Sequence, residues 1–276
     1  MLDEPGIFVM GTDTGVGKTV VTAAIALAAR QRGRDPAVLK PAQTGSDDSR
    51  GRGPRGTITG DAEFVAALIG LDEPPDAICP YRLRAPLAPA VAARLEGRRL
   101  DPQVVARAYN DLAARHDLVL VEAAGGALVP FSDGVDMAAL ASMLGLPVVV
   151  AARPGLGTLN HILLTLEALH RRGLTVLGVV VSGYPEEPGL DHLTNPPALA
   201  RLTPVPLLGA IPFDPAIDVE GGRHGRLAEL GPPGLDPLLG GTFSPARFRR
   251  AGEARLAALT AHDPDPHERS PVRGPH

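Results

Sequence analysis

The stretch Gly11-Thr12-Asp13-Thr14-Gly15-Val16-Gly17-Lys18-Thr19 constrains the fold more than any other. An apolar run, Ile7-Phe8-Val9-Met10, precedes it, and an alanine-rich run, Val20 to Arg30, follows. The order is strand, loop, helix. Small residues let successive backbone N–H groups turn inward as an anion nest, with the positive end of the helix behind them. Lys18 then reaches the terminal phosphates of a nucleotide as a point charge, and the Thr19 hydroxyl reaches Mg²⁺. The usual P-loop pattern has its first glycine at position 12, where this chain has Thr12; Gly11 stands one residue early. The plainer alternative is a glycine-rich turn with a solvated lysine.

Composition narrows the setting for such a loop. The chain has 276 residues, 44% of them hydrophobic but only 3% aromatic, so a core of Ala, Val and Leu is expected. That suits a parallel sheet covered by helices, whose strands read as continuous aliphatic runs. A formal charge of −4 argues against a general nucleic-acid or membrane-surface role. Cys79 is the single cysteine, which excludes an intramolecular disulfide and predicts a cytoplasmic protein. Asp3-Glu4-Pro5 does not read as a signal peptide, and no apolar run approaches a membrane span.

Further along, Ala37 to Lys40 reads as the second strand and Ser46 to Gly60 as a mobile polar loop. Asp61 opens an amphipathic helix bearing Phe64, Val65, Leu68 and Ile69, with Asp61 as its N-cap. Prolines break the chain from Leu71 to Arg84; Ala85–Leu95 and Asp101–Arg115 read as helices. Leu118-Val119-Leu120-Val121 is a strand ending on Glu122, and Ala123-Ala124-Gly125-Gly126 reads as a turn. Helix Asp136–Leu144, strand Pro147–Ala152, helix Thr158–Arg172, strand Val176–Ser182 and a short strand Pro206–Gly209 follow.

This alternation predicts α/β architecture: a single doubly wound, mainly parallel sheet with helices on both faces, of P-loop NTPase type. The expected divisions are a P-loop α/β domain over 1–230, a C-terminal extension over 231–261 and a disordered tail over 262–276. The extension holds a helix from Ser244-Pro245 to about Leu259, with Phe248, Leu256 and Leu259 on its apolar face.

In open α/β sheets, ligands collect at the carboxyl ends of the strands. Three strands end there in polar groups: the P-loop after the first, Lys40 after the second, Glu122 after the third. Lys18 and Lys40 offset the charge of a triphosphate, while Thr19, Asp61 and Glu122 offer oxygens to Mg²⁺ or its waters. Asp61 reads equally as a helix cap. A second glycine-bearing turn, Pro154-Gly155-Leu156-Gly157, runs into Thr158-Leu159-Asn160-His161. By itself that turn reads better as a capped helix start than as a carboxylate site.

Five blocks in order carry a family resemblance: the glycine loop; Lys40-Pro41 with Gln43-Thr44-Gly45; Val121-Glu122-x-Ala124-Gly125-Gly126; Gly157-Thr158-Leu159-Asn160-His161; and Leu208-Gly209-x-Ile211-Pro212. Together, across residues 7 to about 213, they resemble the ATP-dependent dethiobiotin synthetases. The resemblance implies a homodimeric, Mg²⁺-dependent ligase of biotin synthesis acting on 7,8-diaminononanoate and CO₂ with ATP. It implies Lys40 and Lys18 as catalytic cations and Thr19, Asp61 and Glu122 as Mg²⁺ positions. The nucleotide is implied to contact Thr14, Gly15, Val16, Gly17, Lys18, Thr19, Val20, Asp61, Glu122, Gly125, Ser182, Gly183, Ile211, Pro212 and Phe213. Thr14, Thr44 and Gly125 match substrate positions, and Thr158, Leu159 and Asn160 match a helix start that receives the substrate carboxylate from the partner subunit.

The chain departs from the family at several points. Ser182 stands where many members have an asparagine that reads adenine, so relaxed nucleotide choice is expected. Ala123 replaces a frequent glycine and Ala210 a frequent glutamate. A rival reading is a partitioning-type P-loop ATPase that switches a macromolecular partner; Asp13 occupies the place of that group's signature lysine.

Overall fold

A computed structural model describes residues 5–45 and 60–261. The expected N-terminal reading at Asp3-Glu4, the polar loop apart from Gly60, and the 262–276 tail lie outside the described residues.

Six strands form the central sheet: β1 (Gly6–Gly11), β2 (Pro36–Leu39), β3 (Leu118–Gly126), β4 (Val148–Ala152), β5 (Val176–Tyr184) and β6 (Leu207–Pro212). Their order is β6-β5-β4-β1-β3-β2, and every neighbouring pair is parallel. The chain leaves β1 toward β2, inserts β3 between them, then crosses to place β4 on the other side of β1. Connections therefore diverge at β1, and a crevice opens at its carboxyl end.

Successive strand residues face opposite layers. Phe8, Met10, Leu39, Val119 and Val121 pack into one core; Ile7, Val9, Val38, Leu118 and Leu120 pack into the other. Both faces are covered, which is why the strands read as unbroken aliphatic runs. The second core holds α1 (Lys18–Gln31), whose alanines allow close approach to the sheet, and α2 (Asp61–Ile69). It also takes in Leu235 and Leu239. On the first face lie α4 (Pro102–Ala113), α5 (Met137–Leu144) and α6 (Thr158–His170), met earlier in the chain by α3 (Pro89–Leu95).

The structure corrects several local expectations. Residues 85–88 are not helical: helix α3 begins at Pro89, in its N1 position, because the residue before a proline is pushed to extended backbone and Ala88 has ψ 139°. The expected turn after Glu122 is strand, since β3 runs on to Gly126 and re-pairs with Gly11 after a register shift. The N-cap of α2 is Gly60, not Asp61, which stands inside the first turn. On the last helix, α8 (Pro245–Ala261), Phe248 meets Tyr184 with ring centroids 5.0 Å apart, but Leu259 is exposed.

A helix that the prolines hide in the sequence, α7 (Leu190–Leu202), contains Pro196 and Pro197. Pro196 has no N–H for the carbonyl of His192. The Tyr184 hydroxyl, from the end of β5, donates to that carbonyl at 3.1 Å.

Candidate active site

Gly11 closes β1, and a Cβ there would come within 2.7 Å of the Asp13 carbonyl and 3.0 Å of Lys18 Nζ. The early glycine is thus where the loop wraps most tightly over its own lysine, whose ammonium donates to that carbonyl at 3.0 Å. Lys18 and Thr19 open α1 and are both buried.

The ends of β2 and β3 and the starts of α1 and α2 bring four charged side chains together. Val9 pairs with Glu122, and Leu39 pairs with Val121, so Lys40 emerges beside Glu122. Glu122 Oε1 accepts from the Thr19 hydroxyl at 2.9 Å and from Lys40 Nζ at 2.8 Å. Lys40 Nζ also donates to Asp61 Oδ2 at 2.6 Å and to the Ala123 carbonyl at 3.1 Å. All three ammonium donors are therefore engaged. Asp61, the open alternative of the sequence, faces Lys40; its backbone N–H donates to Gln43 Oε1 at 3.1 Å.

Burial, with Lys40 nearby, pulls the Lys18 ammonium down to about 8, against the opposing pull of Glu122 and Asp61. Burial would lower Lys40 as well, but the Asp61 and Glu122 carboxylates override it and hold Lys40 above the usual lysine range. Burial raises the Glu122 carboxyl above its ordinary range, with Lys40 opposing. At Asp61 burial is outweighed by the Lys40 ammonium, and its pKa is lowered. Lys40 is accordingly held as a cation, whereas Lys18, lowered to about 8, is mainly protonated at neutral pH and loses its charge above it.

These groups line an open cavity of about 810 Å³. Thr14, Gly15, Gly17, Lys18, Thr19, Val20, Lys40, Thr44, Asp61, Glu122 and Gly125 all border it. Val16 is buried behind the loop. Ser182 sits behind Gly17, where a Cβ would collide with the serine Oγ; next along β5, a Cβ on Gly183 would lie 3.9 Å from the Phe213 ring. Ile211 is buried, while Pro212 and Phe213 are exposed. Thr158, Leu159 and Asn160 are not at this cavity in the same chain: Thr158 is buried and donates its hydroxyl to the Arg153 carbonyl at 2.7 Å, while Asn160 is exposed.

Sequence reasoning missed two parts of the rim. Pro86 to Pro89 forms one edge, and the tip of the hairpin pairing Ile217–Asp218 with Arg223–His224 brings Val219 and Glu220 to another. The proline pair was a signal for the first; the second has none.

The donors suit a hard divalent cation. Thr19, Asp61 and Glu122 present only oxygens, and Glu122 Oε2 is buried without a hydrogen-bond partner among the described residues. Mg²⁺ takes one or two carboxylates and completes its shell with water and phosphate.

An AAA-domain family model matches residues 5–220. An ATP-dependent dethiobiotin synthetase from Anaeromyxobacter sp. strain K is 48% identical over 212 residues, 77% of this chain and 92% of the relative. The corresponding protein of Parafrankia sp. is 43% identical over 246 residues, 88% of this chain and 97% of the relative. Among solved structures, the Pyrococcus furiosus cell division ATPase MinD aligns with TM-score 0.51 at 22% identity, over 83% of this chain and 95% of that one. A ParA family ATPase from Chlorobium tepidum aligns with TM-score 0.51 at 14% identity, over 82% and 95%. Those two likenesses concern the fold alone. The extent and identity of the sequence matches place the chain in the ATP-dependent dethiobiotin synthetase family.

Proposed function

We propose that this chain closes the ureido ring of dethiobiotin from 7,8-diaminononanoate and CO₂, consuming ATP and releasing ADP and phosphate. The observation that carries the reading is the convergence of a P-loop, two buried lysines and two carboxylates on one cavity, in a member of this family.

One substrate amine takes up CO₂ as a carbamate with loss of a proton. The carbamate oxygen accepts the γ-phosphoryl group, giving a carbamic–phosphoric anhydride and ADP. The second amine attacks the carbamoyl carbon, phosphate departs and the ring closes. No covalent enzyme intermediate is needed; the task is to hold two anions in line. Lys18 and the loop N–H groups hold the phosphates, and Lys40, kept protonated by its carboxylate neighbours, steadies the charge passing between carbamate and phosphoryl oxygen. To reach an anion, Lys40 exchanges one of its three present acceptors for it. Thr19, Asp61 and Glu122 would hold Mg²⁺, which supplies Lewis-acid charge to the phosphates. Thr14, Thr44 and Gly125, which border the cavity, are assigned to the diamine, and Ser182, Gly183 and Ile211 to Phe213 are assigned to the base.

The protein acts as a homodimer in this reading, with Thr158 to Asn160 of one subunit receiving the substrate carboxylate bound in the other. Leu156, beside that turn, is 86% exposed, which favours a covered role. A cytoplasmic location is supported by the lone Cys79, whose thiol burial pushes up to about 12. Among the described residues no helix is long and apolar enough to cross a membrane.

The test is direct. Purified protein with the diamine, bicarbonate, Mg²⁺ and ATP should yield dethiobiotin by mass spectrometry, with matching ADP. No product at saturating substrate, or ATP hydrolysis indifferent to the diamine, overturns the reading in favour of a nucleotide-switched ATPase.

A further inference from the structure

Asp61 stands in the first turn of α2, and its placement opposite Lys40 depends on what anchors that turn. Two residues on, Glu63 folds back over the helix start: a Cβ on Gly60 would collide with Glu63 Oε2. The other Glu63 oxygen accepts from the Arg82 guanidinium. Arg82 belongs to a different element, a short strand in which Arg82 and Leu83 pair in parallel with Gln43 and Thr44. Gln43 in turn accepts from the Asp61 N–H at 3.1 Å.

Arg82 is only 8% exposed, unusual for a guanidinium, and each of its two terminal nitrogens makes two hydrogen bonds. It donates to the Cys79 carbonyl at 2.8 Å, the Pro75 carbonyl at 2.9 Å and Asp76 Oδ1 at 3.1 Å, besides Glu63. Burying such a pair is weak support for stability, since an apolar pair of similar size serves as well. What it does supply is geometry: two planar groups fixed in one orientation.

We propose that Arg82 is a positioning residue for the metal side of the site. Through Glu63 and the Gln43 strand it clamps the start of α2 and so fixes the Asp61 carboxylate. The inference rests on the reading of Asp61 as a Mg²⁺-side carboxylate.

The test is calorimetric titration of Mg²⁺ into protein saturated with a non-hydrolysable ATP analogue, with no diamine present. Arg82→Ala should weaken Mg²⁺ roughly tenfold to a hundredfold, the range for groups that orient a ligand. Glu63→Gln should weaken it in the same direction by less, and the double variant should be no worse than Arg82→Ala. Arg82→Lys should restore affinity only in part, because an ammonium cannot fork. In turnover, the apparent KM for Mg²⁺ should rise while that for the diamine stays. Mg²⁺ affinity within about twofold of wild type in folded Glu63→Gln and Arg82→Lys overturns the proposal, as do additive losses in the double variant. If Arg82→Ala does not fold, those two variants decide. Wild type that binds Mg²⁺ with the analogue but makes no dethiobiotin would sink the proposed reaction and leave this result readable.

Discussion

Gly15-Val16-Gly17 and Gly155-Leu156-Gly157 turn the chain in nearly the same way. The paired glycines have φ 72° and 87° in the first and 88° and 88° in the second, and each turn leads into a helix whose N-cap glycine is left-handed. Neither helix start has a side-chain cap among the described residues. Their surroundings are opposite. Val16 is 4% exposed and Leu156 86%. The first turn opens onto the cavity that Lys40, Asp61 and Glu122 also line; at the second, the Thr158 hydroxyl donates to the Arg153 carbonyl. The same backbone shape thus serves two settings: the first turn faces a cavity lined by charged side chains, the second faces the surface of the subunit.

The comparison is sharpest where the effect is largest. Lys40→Ala should reduce dethiobiotin turnover by roughly 10²- to 10³-fold or more with the fold kept by circular dichroism, the scale for removing one preorganised charge. Retention of most turnover would mean the first turn owes nothing to the neighbouring strand. Next, Leu156→Glu tests whether the second turn works between subunits. It should shift the sedimentation coefficient from dimer to monomer and raise the diamine KM about tenfold, the order of 1.4 kcal/mol, with nucleotide affinity unchanged. A dimer with normal KM would break that assignment.

Lys18 gives a milder effect with a defined sign. Its free-enzyme pKa is about 8, and bound phosphates favour its charged form. Nucleotide affinity should therefore be greatest below pH 8 and weaken above it, by up to about tenfold per unit, while Lys18→Arg should flatten the profile. Titration of an ATP analogue from pH 7 to 9.5 checks it; a flat wild-type profile would be the contrary result. The smallest difference is between the N-cap glycines. Gly157→Ala has only Arg153 Nη2 at 3.5 Å to meet and should lose about 1–2 kcal/mol from left-handed backbone alone. Gly17→Ala also collides with Ser182 and should lose more in urea unfolding; equal losses would show that β5 yields freely.

The sequence carries the sheet because its strands are buried on both faces and need unbroken aliphatic runs, as Leu118 to Val121 shows. Lys40 and Glu122 were readable because each follows such a run, and burial of the run fixes where the polar residue emerges; Lys18 was readable because it closes the glycine loop. Asp61 was ambiguous since a carboxylate at a helix start serves both as cap and as ligand; only the folded chain shows that Gly60 takes the cap position and that Asp61 faces Lys40. Arg82 and Glu63 were invisible because two residues 19 apart in sequence acquire meaning only when the fold sets the short Arg82 strand against the start of α2. Glu220 reaches the rim through a two-strand hairpin without a pattern of its own.

Helix α7 has a consequence for the order of folding. An isolated segment with prolines at 196 and 197 would lose about 3 kcal/mol at each and would not persist as a helix. The Tyr184 hydroxyl that satisfies the His192 carbonyl comes from β5. Residues 190–202 are therefore expected to become helical after β5 is in place, which φ-values near zero for substitutions in α7 would check.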